Sequence, residues 1–225
     1  MICLREDYFL EKGVIDLRYE IDIRERLIDN TIHLVAEGGF EKATTRAIAY
    51  GSSDLPPEVR MNESYIYRLF GGKTQLYDTA FGRLDNQLFT SLHNCVGQIG
   101  DMTDDPKDKL YAVFLRVWRF LLGNEDACRC YIRYYYSAYF KDGSRTAHND
   151  LFQSILTDFG PLFKEGADVT SIMHSVFTTL LDFAIRVYNS DLADTDTNRE
   201  HIFNVVFGTM AIYLKPELLR VSTIQ

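Results

Sequence analysis

Apolar residues recur three and four positions apart through most of this chain, a spacing that lines one face of an α-helix and leaves little strand-like alternation. Only five prolines interrupt the 225 residues, so the fold class that follows is all-α. A content of 46% hydrophobic and 13% aromatic residues is enough for a substantial core and excludes a disordered chain. Against that, 24 Lys and Arg face 32 Asp and Glu, a net charge of −8, so a nucleic-acid partner must be met by a local patch. Cys3, Cys95, Cys128 and Cys130 have no C-x-x-C spacing and make no disulfide framework, which points to a reducing, cytoplasmic compartment. Cys128 and Cys130 lie two apart, face different directions on a helix, and read as buried thiols. The N-terminus carries no basic segment leading into a long apolar run, so no secretory signal is expected. The most apolar window, 202–214, is well short of the roughly 20 residues that span a bilayer. A soluble protein with no membrane partner is expected.

Boundary signals divide the helices. Residues 1–21 have a mixed pattern broken by Gly13 and stand as an N-terminal extension. Asp22 followed by Glu25 forms an acidic capping box and opens a helix that Gly38 and Gly39 end. Thr44 or Thr45 caps a short second helix carrying Ile48 and Ala49, and a third short one runs from Asn62 through Leu69 to Gly71 and Gly72. A long fourth helix begins near Lys73. Three compact helices over 22–72, the last two short and joined by a turn, are a helix-turn-helix arrangement. A connecting helix spans 73–97, and the remainder, 98–225, reads as helices near 107–122, 125–141, 145–159, 168–189 and 197–214.

Residues 24–81 resemble the N-terminal DNA-binding domain of the TetR family of transcriptional regulators. The likeness is carried by Arg24-Glu25-Arg26-Leu27-Ile28, Ala36-Glu37-Gly38-Gly39-Phe40, Thr44-Thr45-Arg46-Ala47-Ile48-Ala49 and the run Tyr65 to Leu76. The resemblance implies a double-stranded DNA operator contacted by Asn62, Glu63, Ser64, Tyr65 and Tyr67 of the third helix, supported by Thr44, Thr45 and Arg46. Lys73, with the unpaired amides that open the fourth helix, makes a phosphate site. Phe40 is expected to plug the space between the first two helices, and Tyr67 and Phe70, three apart, to lock the third. One departure stands out: Tyr67 lies nineteen positions after Ile48, further than in family members, so an insertion lies near 51–60. Residues 22–73 hold seven basic and eight acidic groups, a net of −1, so few phosphate contacts and a modest salt dependence are expected.

In the C-terminal part the aromatic residues cluster, and the consecutive Tyr134, Tyr135 and Tyr136 cannot all face one core. A small-molecule effector pocket is read at Trp118, Tyr135, Tyr139, Phe152, His174 and Phe177, against an alternative of plain core and surface. The wide apolar faces of the last two helices suit a four-helix bundle between two chains, hence a homodimer. Gly71-Gly72-Lys73-Thr74 imitates the end of a phosphate-binding loop, but Tyr67 occupies the place of its first glycine. No metal ligands share helical spacing, and no cofactor loop or nucleophile–base pair assembles, so no enzyme is expected. The sequence therefore points to a ligand-responsive DNA-binding regulator, a repressor acting as a homodimer. Its alternative is an all-α ligand- or protein-binding module whose degenerate helix-turn-helix no longer binds DNA.

Overall fold

The computed structural model describes residues 3–51, 60–97 and 106–219, so most of the expected insertion near 51–60 lies outside the described residues. Among them the chain is all-α: α1 (Cys3–Lys42), α2 (Thr45–Tyr50), α3 (Ser64–Phe70), α4 (Lys73–Gly97), α5 (Pro106–Leu122), α6 (Glu125–Tyr135), α7 (Asp142–Phe159), α8 (Val169–Tyr188) and α9 (Asp196–Ala211). No described helix is long and apolar enough to cross a membrane.

Side-chain oxygens open several helices by accepting from the amides left unpaired in the first turn. Thr44 Oγ1 accepts from the Ala47 amide at 3.1 Å, Asp168 from Ser171 at 3.1 Å and Thr195 from Asn198 at 3.2 Å. Gly39, at φ 74°, breaks the end of α1, and a side chain there would also crowd Arg133 at 3.2 Å.

Two boundaries differ from the sequence pattern. Helix α1 starts at Cys3, and Asp22 sits inside it, paired with Arg26 one turn on, instead of capping its start. A single glycine such as Gly13 costs a helix only about 1 kcal/mol, too little to stop a run this long. Helix α6 stops at Tyr135, short of the expected 141. There the Ser137 hydroxyl donates to the Tyr134 carbonyl at 2.7 Å and accepts from the Tyr139 amide at 3.1 Å, closing a turn that competes with the helix.

Helices α1 and α3 pack on α4, α2 packs on α1 and α3, and α1 also lies along α6, so the helix-turn-helix sits directly on the C-terminal body. Arg133 of α6 donates to the Val35 carbonyl at 3.1 Å, and His33 meets Asp126 at 2.8 Å. Arg83 of α4 reaches back to Glu25 and Asp29 of α1. Phe40 does not plug a gap between α1 and α2: its ring packs on Tyr77 at 4.9 Å and Tyr139 at 4.7 Å, wedging the head against the body. At the far end α8 packs on α9, and α5 closes the bundle.

Trp118, 1% exposed, donates its indole N–H to Asp194 at 2.9 Å, and Arg199 binds the same carboxylate. The Arg199 hydrogen bonds, aided by Trp118, hold the Asp194 carboxyl below the usual carboxylate range. Because its folded pKa lies below the unfolded value of about 4, this contact stabilises the fold at neutral pH and fades as pH falls through the folded pKa. The melting temperature of the wild-type chain should exceed that of Asp194→Asn at pH 7, with the gap shrinking toward pH 3. A gap independent of pH would contradict this account.

Candidate nucleic-acid interface and internal cavity

The head is built around fully buried Ile48, Ala49 and Ile66. Ile66, not Tyr67, fixes α3 to its neighbours: Tyr67 is 60% exposed, which corrects the expectation that it locks the helix. Despite the long interval in sequence, α2 and α3 remain adjacent, because the Met61 amide donates to the Ala49 carbonyl at 2.9 Å and Met61 is buried beneath them. Thr45 donates to Glu63 at 2.8 Å, tying the starts of α2 and α3 together. These two residues, expected to face DNA, thus spend their polar groups on each other.

Asn62 accepts from the Ser64 amide at 2.9 Å and so opens α3, while Ser64 and Arg46 are exposed. Tyr65 is half-buried under the Arg68 guanidinium at 4.6 Å. Lys73, at the first position of α4, holds its ammonium 5.7 Å over the Tyr77 ring. Arg46 and Arg60 both lie over the Tyr50 ring, at 5.2 and 5.6 Å, so two guanidiniums gather on one side chain near the α2–α3 turn. Arg60 carries no local signal in the sequence, since its position depends on how the chain returns from the insertion.

The body holds a partly open cavity of about 290 Å³ between α6, α7 and α8. Tyr135, Phe152, His174 and Phe177 line it, four of the six residues read as an effector pocket. Trp118 lies elsewhere in the core on Asp194, and Tyr139 stands at the head–body junction on Phe40 and Tyr77. Phe152 and Phe177 also form part of the wall of a second cavity of about 80 Å³, lined throughout by apolar side chains.

His148 also lines the larger cavity, and its Nδ1 lies 3.1 and 3.2 Å from the two carboxylate oxygens of Asp85 on α4. Both residues are buried, at 6% and 1% exposure. The Tyr131 hydroxyl stands 3.4 Å from the same nitrogen, and burial together with the Asp85 charge pushes its pKa upward, so it stays a neutral phenol. Neither Asp85 nor His148 stood out in the sequence. Burial raises the Cys128 and Cys130 thiols, Cys130 up to about 12, and both remain protonated core side chains. Among the described residues no group of His, Cys, Asp and Glu is placed to hold a metal ion.

Removing one member of the buried pair strands the other. Asp85→Leu alone is expected to cost roughly 3–5 kcal/mol in denaturant unfolding, and the double variant Asp85→Leu/His148→Leu markedly less than the sum of the singles. Additive losses would show that the two side chains are not coupled.

No protein-family model and no curated protein sequence matches the chain. Solved structures do. A TetR family transcription regulator from Marinobacter aquaeolei VT8 superposes with a TM-score of 0.67 at 15% identity, over 85% of this chain and 97% of that one. SmeT, the repressor of the Stenotrophomonas maltophilia multidrug efflux pump SmeDEF, gives 0.57 at 17% identity, over 90% and 95%. The fatty acid degradation regulator FadR from Bacillus halodurans gives 0.58 at 15% identity, over 82% and 97%. At such low identity the likeness speaks for architecture, and it extends from the helix-turn-helix through the helical body: the chain has the fold of the TetR family of transcriptional regulators.

Proposed function

We propose that the chain is a DNA-binding transcriptional regulator, a repressor that acts as a homodimer and releases its operator when a small molecule enters the cavity. The observation that carries this is that the helices under the head also bear on the cavity: α6, which packs along α1, lines it, and α4, which carries α1 and α3, is tied to its wall through Asp85 and His148. In this reading residues 22–72 are the DNA-binding domain, 73–97 the connecting helix and 98–225 the effector and dimerisation domain.

On the DNA side, α3 presents Ser64 and the exposed Tyr67, with Thr44 and Arg46 beside it and Lys73 at the start of α4. Arg46, Arg60 and Lys73 supply the local positive charge that the chain lacks overall. Dimerisation is supported by α9, which exposes His201, Asn204, Val205 and Gly208 at helical spacing, with Ile212 (68% exposed) just beyond its end. Gly208 meets open space where a side chain would stand, leaving room for a second backbone. In this reading the two-fold axis there sets two copies of α3 at the spacing that operator binding requires, about one DNA turn or 34–36 Å.

Coupling follows from packing. Helix α6 turns Arg133 toward α1 and Tyr135 toward the cavity, while His148 ties the cavity wall to Asp85 of α4. A ligand that fits only one arrangement of α6 and α7 biases the spacing of the heads through these two helices, by its differential affinity for the two states.

In gel-shift assays on the DNA flanking its own gene, the dimeric protein should retard a fragment at low salt. Lys73→Ala should weaken binding and lower the salt slope by about one unit, as loss of one phosphate contact requires. No retarded fragment at low salt would refute the reading. The acidic balance of the head favours the competing reading of a module that no longer holds DNA. Recovery of binding in an inert parent on deletion of residues 53–59 would establish that alternative.

A further inference from the structure

We propose that the larger cavity selects a lipophilic organic cation, an ammonium head held among aromatic rings with an apolar tail directed into the second cavity. The proposal rests on the effector-binding reading of the cavity and adds the ligand's chemical class.

The first observation is the shape of the walls. Tyr131 and Phe177 meet at 89° with centroids 5.9 Å apart, and Tyr135 and Tyr136 at 81° and 5.2 Å. All four rings line the cavity, Tyr136 at its exposed mouth, so a ligand inside is bounded by aromatic rings set in different directions. Ring faces carry negative electrostatic potential and attract a cationic head, most strongly where water is excluded.

The second is the charge of the lining. Among the described residues that line it, Asp182 is the one carboxylate, exposed at the rim and shared with Arg186 at 3.0 Å, the other polar side chains beyond the tyrosines are His148, His174 and Thr178, and none is Lys or Arg. The buried carboxylate of Asp85 stands behind His148, which already faces it through Nδ1. An anionic head entering here would shed its water and find no lysine or arginine to replace it. An ammonium finds aromatic rings and, at the rim, the Asp182 carboxylate instead.

The third is that a second, apolar space adjoins the first. Phe152 and Phe177 line both cavities, and every residue around the smaller one is apolar, including Phe89, Phe114, Met173 and Met210. A tail passing between those two rings exchanges water for hydrocarbon, which favours an amphiphile over a compact polar cation.

Isothermal calorimetry on the full-length protein, with octyltrimethylammonium and octanoate below their micelle-forming concentrations, tests this with tails of matched length. The ammonium should bind at least about tenfold tighter, the scale of one desolvated cation–π contact. Tyr135→Leu should reduce ammonium binding by about tenfold while Tyr135→Phe, which keeps the ring, retains it. Circular dichroism confirms that both variants are folded. Octanoate binding as well or better, no heat with either probe, or an unchanged affinity in Tyr135→Leu overturns the proposal. DNA binding is scored separately: a chain that holds DNA but prefers octanoate loses the cationic ligand and keeps the regulator. One that takes the ammonium yet never holds DNA keeps the ligand and loses the regulator.

Discussion

The buried contact between Asp85 and His148 constrains much of the rest of the structure. A carboxylate taken out of water must be met by a donor or it destabilises the fold, so α7 can pack on α4 in only one register. That register sets where α7 contributes Phe152 to the cavity, and it makes one wall of the cavity continuous with the helix whose first residue is Lys73. Tyr134 extends the same logic toward the head: its ring stacks on Phe81 of α4 at 4.3 Å, its hydroxyl donates to Asp78, and Ser144 lies 2.9 Å from that oxygen. Polar groups buried at these points fix orientation more than they add net stability.

Helix α6 is then the short element that the two functional halves share. Its contacts with α1 include two polar ones, Arg133 with Val35 and His33 with Asp126, and its opposite side lines the cavity through Tyr131 and Tyr135. Packed interiors switch between discrete arrangements more readily than they deform smoothly, so a small change in the cavity can be passed on as a change in how α1 seats. Phe40, wedged between Tyr77 and Tyr139, packs where the head meets the body.

What the sequence disclosed followed from local physics. Helical periodicity and glycine stops placed the helices of the head and body, and tyrosines at consecutive positions signalled a surface beyond a single core. Asp22 misled because an acidic pair one turn apart looks the same at a helix start and inside a helix. The break after Tyr135 was missed because a serine hydroxyl that closes a turn leaves no compositional trace. Trp118 and Tyr139 carry the same aromatic signal as Tyr135, yet their neighbours, Asp194 and Phe40, are distant in sequence and visible only once the chain is folded. For the same reason Asp85 reads as an ordinary helical carboxylate until His148 is beside it, and Arg60 as part of a loop until it stands near Arg46.

The central claim is that two copies of α3 read one face of a duplex under the control of the helical body. Hydroxyl-radical footprinting of the bound fragment tests it most directly. The account predicts two equal protected patches on one face of the DNA, with centres about 10 base pairs apart, related by two-fold symmetry. A single patch, or uniform cleavage across the fragment at low salt, would contradict it.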